Sequence, residues 1–171
     1  MLDVTKIQSG KMTFNPVKFE FDFLVQDIVD DVQHTTSQHK INVELASNAT
    51  VFADKERIGQ VIINFLSNAI KYSTDANEIL VRSYVKQGEV ILSVRDYGIG
   101  ISEELQHLVF DQFYRVSGNL QHTYPGLGLG LYISSEIVKG EGGKIWLDSI
   151  ENEGSTFYFA LKLITPISKS V

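Results

Sequence analysis

Asn64, Asn68 and Lys71 stand at i, i+4 and i+7, so a helix through them puts all three on one face. Two carboxamides and an ammonium in one row offer donors and acceptors suited to a polyphosphate and its divalent metal. The alternative is a solvated helix face, which polar residues form as readily. A second cluster, Asp96-Tyr97-Gly98-Ile99-Gly100-Ile101, follows the apolar run at residues 90–94. A carboxylate at a strand end can accept from an exocyclic amine such as adenine carries. Glycines one residue apart let backbone pass close to a flat ligand. The same residues also make an ordinary strand-ending turn. A third cluster, Gly126-Leu127-Gly128-Leu129-Gly130-Leu131, opens a helix, where orphan amides and the helix dipole attract phosphate. It matches neither the dinucleotide fingerprint nor the P-loop, so it is an anion loop of another kind or a hinge. In the fourth, Gly154-Ser155-Thr156-Phe157, Thr156 could turn a hydroxyl into a site, though Gly-Ser alone is a common hairpin turn.

Other chemistries find less support. The chain of 171 residues has no cysteine, which excludes disulfides, thiolate metal sites and a cysteine nucleophile. His34, His39, His107 and His122 show no metal-ligand spacing, and His34 and His39 are expected to face solvent at the end of a polar helix. Fifteen Lys+Arg against 21 Asp+Glu give a net charge of −6, which argues against general nucleic-acid binding. Any anionic ligand must then be held by local features. A hydrophobic fraction of 43% with 21% charged residues is that of a folded globular domain, and no apolar run is long enough to span a bilayer.

The elements that would position these clusters follow from periodicity. Residues 54–72 are the clearest helix: Ile58, Val61, Ile62, Phe65, Leu66 and Ala69 form a core-facing stripe, with Asp54 as N-cap. An earlier helix is predicted from Asp22, as cap, to about residue 39, after a short strand at 17–21. Strands are predicted at 41–45, 51–53, 78–86, 89–95, 144–149 and 156–163. The pair 78–86 and 89–95 is joined by a tight turn at Gln87-Gly88. A helix is predicted from about 128 to 139, and short helical pieces after Ser102. Leu2, Ile7 and Met12 sit at loose helical spacing ended by Gly10, like the tail of a helix. The order reads as an α+β fold with helices on one face of a mixed sheet.

Taken together, the clusters resemble the motif set of two-component sensor histidine kinases. Residues 64–73 resemble the N box and residues 96–100 the first glycine box. Phe110-Asp111-Gln112-Phe113-Tyr114-Arg115 resembles the F box, residues 126–131 the second glycine box, and residues 154–157 the last. The resemblance covers residues 14–163, in the family's order, and names the catalytic and ATP-binding domain. It implies a two-layer α/β sandwich of the Bergerat type, with about five mixed strands and three helices on one face. Residues 14–171 would be this domain, and residues 1–13 a remnant of the preceding dimerisation hairpin.

The resemblance also assigns roles. Asp96 would hold the adenine amine and Tyr72 pack at the nucleotide. Asn64 would coordinate Mg²⁺ and, with Lys71, serve catalysis. Asn68 and Arg115 would lie near the phosphates, beside a mobile lid at about residues 114–125. Gly98, Gly100, Ile101, the segment Gly126, Leu127, Gly128, Leu129, Gly130 and Leu131, and Thr156 would complete the ATP site. Related hydrolytic ATPases carry a glutamate where Asn64 stands. An amide cannot take a proton from water, so transfer to a protein nucleophile is favoured over hydrolysis. The family phosphorylates a histidine followed by an acidic residue on the hairpin. None of the four histidines here has that context, so the acceptor is expected outside this chain and the fragment is expected to be monomeric. The implied partners are that phosphoacceptor domain and, through the intact kinase, a response-regulator receiver domain. The implied location is the cytoplasmic part of a kinase anchored in the membrane when intact. The competing readings are a non-catalytic nucleotide-sensing or docking module and a serine kinase of the anti-sigma type.

Overall fold

The computed structural model describes residues 12–111 and 129–164. Strand β1 (Val17–Glu20) pairs antiparallel with β3 (Thr50–Ala53), matching Val17 to Ala53. The main sheet has five strands in the order β2-β4-β5-β7-β6. They are β2 (Lys40–Leu45), β4 (Glu78–Lys86), β5 (Glu89–Asp96), β7 (Gly154–Lys162) and β6 (Lys144–Ile150). β2 runs parallel to β4 and the other neighbours are antiparallel, so the sheet is mixed as expected.

Helices α1 (Phe21–Gln33), α2 (Lys55–Lys71) and α3 (Gly130–Gly140) cover one face of it. The apolar stripe of α2 is buried throughout, and its N-cap Asp54 accepts from Arg57 N at 3.1 Å. Directly paired strand residues share a face. Val81, Val94, Phe157 and Leu147 therefore line up toward the helices, and Phe65 packs 5.6 Å from Phe157 and 5.9 Å from Phe159. The intervening row, Arg82, Ser93, Tyr158 and Trp146, lies on the outer face, where Trp146 stacks on Tyr158 at 5.1 Å.

The first helix departs from the sequence expectation at both ends. It begins at Phe21, and Glu20 occupies the N-cap position without a side-chain bond. Asp22 instead turns to the loop after β2. It accepts from Ser47 N and Asn48 N at 3.1 Å, and from the hydroxyls of Ser47 and Ser83 at 2.6 Å. A carboxylate with four donors is worth more to the fold than a solvated cap. Replacing Asp22 by Ala is expected to cost about 2–4 kcal/mol, because it orphans those donors. A lowered urea midpoint at unchanged m would show it, and an unchanged midpoint would refute it.

The helix stops at Gln33, whose side chain fixes the following turn. Gln33 Nε2 donates to His39 O at 2.8 Å and Gln33 Oε1 accepts from Ile41 N at 2.8 Å. His39 is consequently not solvent-facing. It is buried, with its Nε2 on Ser73 O at 2.7 Å, and so ties this turn to the end of α2. At the N-terminal side Met12 and Phe14 pack on the core, and Asn15 N donates to Asp54 Oδ2 at 2.9 Å.

Candidate functional site

At the end of β5 the carboxylate of Asp96 is buried, on the helix side of the sheet. Two backbone amides reach the same oxygen: Gly98 N at 3.0 Å and Ser155 N at 3.3 Å both donate to Oδ1. Among the described residues Oδ2 takes no donor, which leaves it to accept from a ligand. Burial pushes the carboxyl up to about 6 from 3.8, and the two amides only partly offset this.

Three strand and helix ends converge to hold that carboxylate. Ile99 N donates to Tyr72 O at 3.2 Å, which lays the loop against the C-cap of α2. A Cβ on Gly98 would stand 1.8 Å from that same carbonyl oxygen. On the other side the β6–β7 turn is pressed in: Asn152 N donates to Ile99 O at 2.6 Å, and a Cβ on Gly100 would meet Ile150 O at 2.1 Å. Ser149 Oγ accepts from Ile101 N at 2.7 Å, and Gln106 Nε2 donates to both Ile101 O and Ser149 O at 2.9 Å. Ile101 is thus held as part of the loop's frame and packs on the core.

The other end of the site lies two turns back along α2. Asn64 Nδ2 donates to Gly130 O at 3.2 Å and to Ser134 Oγ at 3.1 Å, joining α2 to the start of α3. From Asn64 to Tyr72 the helical rise is about 12 Å, a span that an extended nucleoside polyphosphate can bridge. Asn68, half-buried, and Lys71, exposed, lie between these ends on the expected face. Leu129 and Leu131 are partly buried against the core, so the apolar positions flanking Gly130 serve packing. Arg115, Gly126, Leu127 and Gly128, together with His122, lie outside the described residues.

Thr156 is the expected contact that the structure takes elsewhere. It pairs with Arg95 and Asp148, and lies with Tyr158 on the outer face. Its neighbour Ser155 faces the site instead. Strand parity explains this, since Phe157 is committed to the core and positions 156 and 158 must point away. Ser134, Ser149 and Gln106 were not singled out from the sequence. A serine on the buried face of a helix was the one visible hint.

The chemistry of the site fits a magnesium ion that brings most of its own shell. Gly130 O can only accept, so the nitrogen of the Asn64 amide must face it, and Oδ1, on the other side of the amide, keeps its lone pairs. Mg²⁺ commonly takes few protein ligands and keeps waters and phosphate oxygens. No cluster of three or more His, Cys, Asp or Glu that could hold a metal unaided exists among the described residues.

One end of the site is thus a buried carboxylate whose Oδ2 takes no donor among the described residues, and the other a carboxamide held against the start of α3. The family model described as "Histidine kinase-, DNA gyrase B-, and HSP90-like ATPase" matches residues 53–165, and the chain belongs to that family. Its curated relatives are sensor histidine kinases. It is 37% identical over 168 residues to the sensor histidine kinase WalK of Bacillus subtilis, covering 94% of this chain and 27% of that protein. To the circadian input-output histidine kinase CikA of Thermosynechococcus vestitus it is 34% identical over 170 residues, covering 96% of this chain and 23% of that one. The chain thus spans about a quarter of the length of these relatives. Among solved structures, the catalytic domain of histidine kinase ThkA superposes with a TM-score of 0.72 at 30% identity, over 88% of this chain and 96% of that one. Full-length ShkA in complex with AMPPNP shares the fold, with a TM-score of 0.82 at 22% identity over 96% of this chain and 35% of that one. No helix among the described residues is long and apolar enough to cross a membrane.

Proposed function

We propose that this domain binds ATP with Mg²⁺ and donates the γ-phosphoryl group to a histidine on a separate phosphoacceptor domain of a sensor kinase. The observation that carries the reading is the Asp96 carboxylate. Its Oδ1 is saturated by two backbone amides and its Oδ2 is left to an incoming donor. An adenine amine is such a donor. Asp96 Oδ2 would accept from it, with Gly98 and Gly100 bringing the backbone close to the base and Tyr72 beside it. Lys71 and Asn68 would meet the phosphates, as would the amides at the start of α3. Arg115 and the glycine segment from Gly126 to Gly128 belong to the same proposal by their motifs. The bound ion would neutralise phosphate charge, with Asn64 Oδ1 as its protein ligand.

Phosphoryl transfer asks mainly for positioning and charge stabilisation, which these groups supply without a general base. The phosphoaccepting histidine and the receiver domain downstream are the partners this reading requires, in the intact kinase. Titration calorimetry with ATP, ADP and GTP, with and without Mg²⁺, tests it. Adenine-selective binding tightened by Mg²⁺ is expected, followed by phosphohistidine on a separately produced acceptor hairpin. Binding without transfer would favour a docking module. Asn64→Ala is expected to weaken ATP at least about ten-fold in Mg²⁺ and little in EDTA. Equal losses in both would remove Asn64 from the metal.

A further inference from the structure

We propose that Ser134 is a positioning residue that fixes which end of the Asn64 carboxamide faces the metal and phosphates, an inference that rests on the nucleotide reading above. A carboxamide is nearly symmetric in shape, and a half-turn would exchange its acceptor for its donor. An amide presenting Nδ2 to a cation or to phosphate-bound metal would repel it. The structure places Nδ2 within hydrogen-bond reach of two acceptors across the α2–α3 seam, Gly130 O at 3.2 Å and Ser134 Oγ at 3.1 Å. One bond alone would leave the amide free to rock about it. Two acceptors on the same nitrogen fix its orientation.

Ser134 is suited to the accepting role. It is fully buried, among Ile133, Ile137 and Val138 on α3. A hydroxyl there is costly unless bonded, and alanine would pack as well. In a helix a serine hydroxyl can place its hydrogen on a carbonyl one turn back while its oxygen still accepts. That leaves the oxygen lone pairs for Asn64. Gly130 is the second half of the device. A Cβ there would stand 3.8 Å from Asn64 Cγ, so the helix start lies against the amide itself.

Two measurements on Ser134→Ala test the assignment. The first needs no nucleotide. In the free domain the side-chain amide protons of Asn64, identified by their loss in Asn64→Ala, are expected as two well-separated signals slow to exchange with solvent. Ser134→Ala should bring one of them to the position of an exposed asparagine and speed its exchange. Wild-type signals already at exposed positions would overturn the proposal, whatever the domain binds. The second is the ratio of ATP dissociation constants in EDTA and in Mg²⁺. Ser134→Ala should shrink that ratio by roughly three- to ten-fold, as one lost neutral hydrogen bond would, with EDTA binding changed by less than about two-fold. In an Asn64→Ala background the same change should have no further effect on the ratio. An unchanged ratio in Ser134→Ala, or the same drop in both backgrounds, would overturn the positioning role. Absence of ATP binding by the wild type, with the amide signals as expected, would sink the nucleotide reading instead.

Discussion

Asp96→Asn is expected to bind ATP roughly 30- to 200-fold more weakly than wild type at neutral pH while melting higher. The asparagine keeps an oxygen where Asp96 Oδ1 receives Gly98 N and Ser155 N, so the loop retains its two amide bonds. Its nitrogen then occupies the place of Oδ2 and presents donors to a donor. Stability moves the other way because the carboxyl is pushed up to about 6 from 3.8. Below about pH 4 both folded and unfolded chains hold the proton. Between there and pH 6 the unfolded chain releases it first, so stability is lost as pH rises. Above pH 6 the buried charge costs about 3 kcal/mol. Removing it should return about 1–2 kcal/mol, because the new amide nitrogen has no partner of its own, and raise Tm by roughly 3–6 °C.

The same shift gives ATP affinity a pH dependence. The amine-accepting form of Asp96 is half lost at about pH 6 and about tenfold depleted at pH 5. Wild-type affinity should fall accordingly over that interval, and Asp96→Asn should lack this component. Titration of the nucleotide phosphates affects both proteins equally, so the difference between the two profiles isolates the carboxyl. Parallel profiles, or an asparagine variant that binds like wild type, would remove Asp96 from recognition of the base.

How far the sequence could show this site depends on where each residue's partner lies. The stripe of α2 and its Asp54 cap were legible because helix periodicity and capping are local. So was the hairpin at Gln87-Gly88. Asp22 was misread as a cap because the donors that claim it, at Ser47, Asn48 and Ser83, are 25 to 61 residues away. His39 misled for the same reason: its partner is the carbonyl of Ser73, and no spacing rule predicts a side chain bonding backbone 34 residues on. Thr156 and Ser155 show a finer limit. The motif marks this turn, but which of its two adjacent hydroxyl residues lies on the Asp96 side of the sheet is decided by strand register, and register is fixed by Phe157 entering the core. Ser134 carries no motif of its own, and its bond to Asn64 crosses 70 positions.

Glycines gave the loudest signal in this sequence, and the structure separates them by purpose. Gly98→Ala is expected to cost about 3–5 kcal/mol and to lower Tm by roughly 6–15 °C. Its Cβ would stand 1.8 Å from Tyr72 O, 2.7 Å from Tyr72 C and 2.9 Å from Ser73 Cα. All three are backbone at the end of a helix whose core stripe is buried, so no side-chain rotation relieves them. The loop would have to lift, breaking the bond from Ile99 N to Tyr72 O and pulling Gly98 N away from Asp96. ATP affinity should fall with the fold because the carboxylate loses one of its two holders. Gly130→Ala provides the contrast from the other end of the site. There the nearest atoms to a new Cβ are 3.8–4.0 Å away in the Asn64 side chain, an ordinary contact, and alanine suits a helix better than glycine. Its melting should stay within about 1 kcal/mol of wild type. Paired thermal melts decide the matter. A Gly98→Ala variant as stable as Gly130→Ala would mean that the Asp96 loop is not clamped between α2 and the β6–β7 turn. The preorganisation that the proposed recognition of the base requires would then have to arise only once ligand binds.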